Sequence, residues 1–157
     1  MIRIFDFEIS PPAKNALVRD GFIAKNITPE IAAMLRISGI QNGTVTIQSK
    51  HTTLGVQVNE DESGLNIFDF PDILGRIAPK GRPYVHDDLT VRTENLDPDH
   101  PERPNGHSHC RALFLPTSVV LVIQNGTLCL GSWQSISVLE LDAPRENRQL
   151  KVCFMGE

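Results

Sequence analysis

A turn sequence near the C-terminal end of the chain constrains the fold more than any other feature. Asn125 and Gly126 separate two runs of mostly apolar residues, 119–123 and 127–130. An Asn-Gly pair between such runs is a strong signal for a β-hairpin, because both residues tolerate the positive φ angles of a two-residue turn. The sequence therefore predicts an antiparallel hairpin at this position.

Alternating apolar and polar residues predict further strands on both sides of this hairpin. The predicted strands cover residues 1–9, 21–24, 44–49, 54–59, 135–141 and 150–155. Pro11 and Pro12 end the first strand, and Asn42 with Gly43 predicts a tight turn before the third. Because the late strands are joined by short turns, we expect them to pair antiparallel.

Three segments carry helical signals. Thr28 is a favourable N-cap residue and Gly39 suits the end of a helix, so a first helix runs between them. Residues 65–78 contain a second helix that Pro71 starts or kinks, and residues 104–115 predict a short third one. With helices early and in the middle and strands at both ends, the sequence predicts an α+β fold built on antiparallel sheet.

Size and charge exclude several classes of protein. The chain has 157 residues, the usual size of one domain, and we assign residues 1–157 to a single domain. Its net charge is -4, without the basic excess typical of nucleic-acid-binding proteins. No apolar run exceeds the five residues of 119–123, far fewer than the roughly 20 residues of a membrane helix. Without a signal-peptide core or a CxxC pair, we expect a cytoplasmic protein with no membrane or nucleic-acid partner.

A long proline-rich segment is the first candidate for function. Residues 80–103 have no clear helix or strand pattern, and connections of this length are often functional loops. All five histidines lie between positions 51 and 109. In the loop, His86 precedes Asp87, and an adjacent carboxylate orients an imidazole or binds a metal. Asp87 has little to pack against there, so we expect it to matter more for turnover than for folding.

Helical geometry distinguishes the histidines at positions 107 and 109. If residues 104–115 are helical, Asn105 and His109 occupy positions i and i+4 and share one face of the helix. His107 then points elsewhere. The spacing therefore favours His109 over His107 as the site residue.

Several short segments together resemble the YjbQ family, whose members are often described as secondary thiamine-phosphate synthases. The similarity extends over nearly the whole chain and rests on His51, Thr52 and Thr53, Asn59 and Glu60, Tyr84, His86 and Asp87, Asn105 and His109, and segments 130–134, 140–145 and 155–157. Leu115 and Ala143 stand where the family usually has glycine, which affects loop conformation more than chemistry. The resemblance implies a β-sandwich-like core with a few short helices, a homotrimer, and a pocket where the histidine-bearing segments meet.

The first functional hypothesis implied by this resemblance is an enzyme that joins a pyrimidine diphosphate to a thiazole phosphate. Expulsion of diphosphate requires Mg²⁺ or basic groups, and Asp87 with Glu60 would hold the ion. Arg145 would bind phosphate, unless it forms a structural ion pair with Glu140 or Asp142. The candidate catalytic residues are His51, His86, Asp87, His109 and Glu60, and the candidate substrate-binding residues are Thr52, Thr53, Asn105, Ser132, Trp133, Gln134 and Arg145.

Two other hypotheses stay open. In a metal-dependent hydrolase, His51, His86 and His109 would hold a metal ion with an open position for water, and Asp87 would either orient a ligand histidine or act as general base. In a non-enzymatic trimeric protein, the pocket would bind a small phosphorylated or anionic ligand or a metal, with Trp133 as one wall. A divalent metal, zinc or magnesium, is the expected cofactor.

Overall fold

The computed structural model describes residues 1–9 and 19–157, so the predicted break at Pro11 and Pro12 lies outside the described residues. The strands are β1 (Ile2–Ile9), β2 (Ile23–Asn26), β3 (Gly43–Ser49), β4 (Leu54–Glu60), β5 (Ser118–Gln124), β6 (Thr127–Leu128), β7 (Gln134–Glu140) and β8 (Arg148–Gly156). The helices are α1 (Thr28–Ser38), α2 (Phe70–Ile77) and α3 (Gly106–Ala112), with a π-helical turn at Leu65–Asp69 and a 3-10 turn at Val85–Asp87. None of the helices in the described residues is long and apolar enough to cross a membrane.

The strands form two antiparallel sheets. The order is β1-β8-β3-β5-β6 in the five-stranded sheet and β2-β7-β4 in the three-stranded sheet. The main core draws on both sheets and on α1, and it includes Val45, Phe154, Val56, Ile136 and Ile31. The predicted α+β fold with a β-sandwich-like core is therefore confirmed.

The hairpin near the C-terminal end is also confirmed. Strands β5 and β6 pair antiparallel, and Asn125 and Gly126 between them have φ angles of 51° and 69°. These positive values are the ones that a two-residue hairpin turn requires. The other predicted strands are present with small shifts at their ends. The strand expected at 21–24 begins at Ile23, because Gly21 has a φ of 79° and belongs to the preceding turn.

The predicted tight turn at Asn42 and Gly43 is wrong. Gly43 already belongs to β3, and Asn42 exchanges backbone hydrogen bonds with Glu157. A Cβ atom at Gly43 would lie 2.1 Å from the Met155 carbonyl oxygen. Glycine is therefore required for the close approach of two backbone segments rather than for a turn.

Helix α1 begins differently from the prediction and ends as predicted. Thr28 is its first residue rather than its N-cap: its N–H donates to Asn26 Oδ1 at 2.8 Å, and its Oγ1 accepts from the Ile136 N–H at 2.8 Å. The threonine hydroxyl therefore ties the helix to β7 instead of capping it. Gly39 ends the helix with a φ of 74°, the left-handed conformation common at this position.

A smaller core supports the helices near the candidate site. It consists of Phe22, Leu74, Leu139 and Leu141. The helix predicted at 65–78 is confirmed in this region, with Pro71 in the first turn of α2. Because Leu139 lies on β7 and Leu74 on α2, this second core joins the three-stranded sheet to α2.

Arg111 fixes α3 against this part of the fold. Its side chain is completely buried, and its guanidinium forms an ion pair with the Asp20 carboxylate. Arg111 Nε donates to the Ala78 carbonyl oxygen at 3.0 Å, and Nη1 donates to the Asp20 carbonyl oxygen at 2.9 Å. Helix α3 is therefore anchored both to the end of α2 and to the turn before β2.

Candidate functional site

A pocket of about 590 Å³ opens where the long loop meets α3. We call it the histidine pocket, and it is lined by Thr52, Val85, His86, Arg92, Glu94, Asn95, Glu102, Asn105 and His109. The ring centroids of His86 and His109 lie 4.5 Å apart, with an interplanar angle of 53°. Two imidazoles from separate segments therefore share one small site.

The helical spacing explains which side chains reach the pocket. Asn105 and His109 both line it, as their i and i+4 positions predict. His107 is directed elsewhere: it is 4% exposed and lines a different cavity, together with Lys80 and Tyr84. The structure therefore separates the two neighbouring histidines as helix geometry requires.

Arg92 organises the loop around the pocket. Its Nη1 lies 3.3 Å from His86 Nε2 and 3.2 Å from Glu102 Oε2. Its Nε and Nη2 donate to the carbonyl oxygens of Glu94 and Asn95 at 3.2 and 2.9 Å. Because a guanidinium only donates hydrogen bonds, His86 Nε2 is the acceptor in this contact, which places the ring proton on Nδ1.

His109 is partly buried beside His86. Burial lowers the pKa of His109 below its ordinary value of about 6.5, and any positive charge on the neighbouring His86 lowers it further. His109 is therefore neutral at pH 7 and offers a nitrogen lone pair for accepting a proton.

Asp142 connects the pocket to two arginines. Its carboxylate lies 2.9 Å from Arg103 Nη2 and 2.7 Å from Arg145 Nη2, and Asn105 Nδ2 donates to it at 3.1 Å. Burial alone would raise the pKa of Asp142, but the hydrogen bonds from Asn105 and Arg145 and the charges of Arg145 and Arg103 lower it overall. The ion pair predicted as one role of Arg145 is present, and its partner is Asp142. Glu140, the other predicted partner, pairs with Arg148 instead.

His51 occupies a different environment from the other two predicted site histidines. Its Nε2 accepts a hydrogen bond from the Gln149 N–H at 2.8 Å. Burial, and then the positive charge of Arg148, lowers the pKa of His51. The adjacent Thr52 lines the histidine pocket, but His51 is not part of that lining. Its role in the described residues is to hold the start of β8.

The predicted three-imidazole metal centre does not fit these contacts. His51 and His86 each use the Nε2 lone pair to accept an N–H group, so the other ring nitrogen is protonated. A metal ligand needs a free lone pair on a neutral ring. Within residues 1–9 and 19–157, no three or more His, Cys, Asp or Glu side chains are arranged to hold a metal ion.

Neither residue of the predicted magnesium pair lines the histidine pocket. Glu60 is exposed at the end of β4, opposite Gln134 in the sheet. Asp87 Oδ1 accepts from the backbone N–H groups of Asn105 and Gly106 at 2.9 and 2.8 Å. This carboxylate therefore holds the start of α3, and the expectation that it contributes little to folding is corrected.

Removing the Asp87 carboxylate is expected to destabilise the protein. Loss of an acceptor at the start of a helix typically costs about 0.5–2 kcal/mol, so Asp87→Ala should lower the free energy of unfolding by about 1 kcal/mol or more. Asp87→Asn keeps an oxygen acceptor and should cost less. Chemical denaturation measures both, with Asp99→Ala at an exposed position of the same loop as control. Equal stability of Asp87→Ala and Asp99→Ala would contradict the helix-holding role.

The remaining predicted binding residues lie outside the pocket, apart from Thr52. Thr53 is buried and its hydroxyl accepts from Arg148 Nη2 at 2.8 Å. Ser132 is exposed, and Gln134 Oε1 accepts from a local backbone N–H. Trp133 is 78% exposed, so it is neither a wall of the histidine pocket nor part of the core.

Sequence reasoning missed Arg92 and Glu102, and it named Asp142 only as a possible ion-pair partner of Arg145. Arg92 had one signal in its favour, because residues 57–102 contain eleven acids and only four bases. An isolated base in such an acidic segment is a candidate for a specific ion pair, and Arg92 forms one with Glu102. Asp142 lies in a segment that carried the family resemblance, but its partners Arg103 and Asn105 come from a part of the chain nearly forty residues earlier.

Comparison with known proteins identifies the family. Residues 18–157 match the family model described as UPF0047 protein YjbQ-like. The chain belongs to the YjbQ family. A UPF0047 protein of Methanothermobacter thermautotrophicus is 35% identical over 132 residues, which cover 84% of this chain and 82% of that protein. The UPF0047 protein YugU of Bacillus subtilis is 29% identical over 136 residues, which cover 83% and 88% of the two chains.

Solved structures support the YjbQ fold independently. A YbjQ-like protein of unknown function from Sulfolobus solfataricus has a TM-score of 0.80 at 28% identity, covering 100% of this chain and 99% of that one. A hypothetical protein from Aeropyrum pernix has a TM-score of 0.78 at 26% identity, covering 99% of each chain. Membership of the YjbQ family establishes the fold, whereas the chemistry depends on the residues of the pocket.

Proposed function

We propose that this YjbQ family member is an enzyme that acts on small phosphorylated substrates in the histidine pocket, in the manner of a thiamine-phosphate synthase. The reaction forms a bond between the thiazole nitrogen and the pyrimidine methylene carbon, and it breaks the bond from that carbon to a diphosphate oxygen. The observation that carries the proposal is the close pair of imidazoles, His86 and His109, in a pocket of small-molecule size.

The two rings of this pair have different roles: His109 accepts a proton, and His86 donates a hydrogen bond. His109 is neutral because burial lowers its pKa, so it accepts a proton from the amino nitrogen of the pyrimidine as diphosphate departs. It returns the proton once the new bond has formed. His86 presents an N–H group on Nδ1, because Arg92 occupies its Nε2. Positioned acids and bases of this kind typically contribute about 10²–10⁴-fold to a rate.

Two arginines beside the pocket support binding of the phosphate groups. Arg103 and Arg145 share one carboxylate, that of Asp142, so this cluster carries one net positive charge. Their side chains are 39% and 38% exposed and accessible to a ligand. Arginine binds phosphate oxygens through paired N–H groups and offsets the charge of a departing diphosphate. Asn105 links the cluster to the pocket through its bond to Asp142.

The direct test is turnover of the two thiamine precursors by the purified protein, followed as thiamine phosphate and diphosphate released. We expect both products in equal amounts. Assays with Mg²⁺ and with a chelator determine whether the arginine cluster alone offsets the diphosphate charge. If the precursors bind without turnover, the protein is a binding module and the synthase proposal fails.

The resemblance to the family also supports a homotrimer as the assembled form and a cytoplasmic location, where the unpaired Cys110, Cys129 and Cys153 stay reduced. The net charge of -4 agrees with small-molecule partners rather than nucleic acid. Light scattering that gives a monomer mass at micromolar concentration would overturn the trimer.

A further inference from the structure

A second cavity, of about 480 Å³, is built from the same two chain segments as the histidine pocket. His86 and His109 line the histidine pocket, whereas Asp87 and His107 line this second cavity. We call it the Lys80 cavity, after a lysine in its lining. The two cavities share no lining residue, so they are separate candidate sites.

His107 carries an unused nitrogen lone pair at the Lys80 cavity. The Ser108 hydroxyl donates its hydrogen to the Leu141 carbonyl oxygen at 2.7 Å, so its oxygen is the acceptor in the 3.2 Å contact with His107 Nε2. This contact places the ring proton on Nε2 and leaves the lone pair on Nδ1. Burial, and then the charges of Arg111 and Lys80, lower the pKa of His107, so the ring is neutral at pH 7.

This lone pair is accessible from the cavity. His107 is buried as a residue, and its Nδ1 makes no hydrogen bond within the described part of the chain. The side-chain polar atoms of residues 1–9 and 19–157 that are both buried and without a partner are Arg103 Nε and Asn105 Oδ1. Since His107 Nδ1 is not one of them, its remaining surface opens to the cavity that His107 lines. An acceptor on such a buried side chain is normally satisfied by a donor from protein, water or ligand.

Two cations and two carboxylates line the same cavity. Lys80 and Arg82 form no ion pair or hydrogen bond with any described residue, so their N–H groups are available to an anion. Asp87 Oδ1 and Asp88 Oδ1 each accept two hydrogen bonds from the protein, but both carboxylates keep their negative charge. The cations attract an oxyanion, while these carboxylates and the His107 lone pair disfavour one that has no proton to donate.

We propose that the Lys80 cavity binds inorganic phosphate as the hydrogen phosphate ion, an oxyanion that keeps one O–H group. Its charged oxygens accept from Lys80 and Arg82, and its O–H donates to His107 Nδ1. Sulfate has the same tetrahedral shape but no proton at neutral pH, and it would place an oxygen lone pair against that of His107. The inference goes beyond the proposed function, because it concerns a separate cavity and does not depend on turnover.

Calorimetric titration tests this selectivity with inorganic phosphate, sulfate and methyl phosphate. At a pH above the second pKa of phosphate, all three carry two negative charges, and only inorganic phosphate retains a proton. We expect phosphate to bind at least about tenfold more tightly than the other two anions, the usual scale of one good hydrogen bond. Equal affinities, or no binding of phosphate, would overturn the proposal.

A matched pair of lysine variants locates the binding. Lys80→Gln removes one charge from the cavity and should weaken phosphate binding at least about fivefold. Lys50→Gln removes an exposed lysine that lines neither cavity, so it should leave phosphate binding unchanged. Both positions are exposed, so neither variant is expected to unfold the protein.

Nitrogen-15 spectra of the histidine side chains provide an independent location. Phosphate should shift the resonances of His107 and leave those of His86 and His109 in place. Phosphate binding that survives Lys80→Gln with His107 unshifted would belong to the arginine cluster of the proposed function, and it would overturn the present inference. Because none of these readouts requires turnover, an inactive protein that still selects phosphate over sulfate contradicts the synthase function and supports the Lys80 cavity.

Discussion

Replacing Arg111 by leucine is expected to lower the free energy of unfolding by about 3–5 kcal/mol, the scale for removing one partner of a buried ion pair. The guanidinium is fully buried and contacts the Asp20 carboxylate together with the carbonyl oxygens of Asp20 and Ala78. Leucine fills part of the space but leaves these oxygens without donors. Because 31% of the Asp20 side chain is exposed, water solvates it in part, and we expect the lower end of that range.

Chemical denaturation provides the measurement, with two comparison variants. Arg111→Lys keeps the charge but loses the planar guanidinium. Its free energy of unfolding should therefore lie between those of wild type and Arg111→Leu. Arg76→Leu removes the exposed ion pair with Asp72 and should cost about 1 kcal/mol or less. If Arg111→Leu is no less stable than Arg76→Leu, the anchoring role of Arg111 is contradicted.

Replacing His109 by glutamine is expected to reduce turnover of the thiamine precursors about a hundredfold or more, the usual effect of losing a positioned base. Glutamine retains hydrogen-bonding capacity but cannot accept a proton at neutral pH. His100→Gln is the matched control, since His100 pairs with Asp97 at an exposed position outside the pocket. Wild-type turnover by a folded His109→Gln variant would remove His109 from the mechanism.

The pH profile of turnover tests the proton-accepting role of His109 in a second way. Burial and the neighbouring His86 lower the pKa of His109, so the neutral, proton-accepting form persists below pH 6.5. Turnover should therefore hold as the pH falls to about 6.5 and decline only at lower pH, as the ring becomes protonated. A decline centred well above pH 6.5 would assign the limiting titration to another group.

Local signals predicted much of the fold because they report local geometry. Asn125 and Gly126 lie within the turn that they predict, and alternation identified strands whose inward faces form the core. The Asn42 and Gly43 turn failed for the opposite reason, since Glu157 and Met155 determine that geometry from the far end of the chain. A dipeptide carries no information about a strand that arrives more than one hundred residues later.

The same distinction between local and long-range contacts applies to the residues of the candidate site. Helix spacing distinguished His109 from His107 because both lie on one short helix. The state of His51 depends instead on the Gln149 backbone, and Asp87 depends on N–H groups at Asn105 and Gly106. Residue type suggested that these side chains are chemically useful. Only the contacts decide whether a lone pair is free for a ligand or already used.

The contact between Asp87 and the start of α3 affects which parts of this site can change during evolution. Asp87 directly follows His86, and it holds the N–H of Gly106, three residues before His109. The separation of the two imidazoles is therefore set by a short bridge that bypasses residues 88–104. Insertions or substitutions in that loop that retain Arg92 can remodel the pocket wall, while the paired rings keep their spacing. Such a site can change its ligand over evolution without rebuilding its reactive centre.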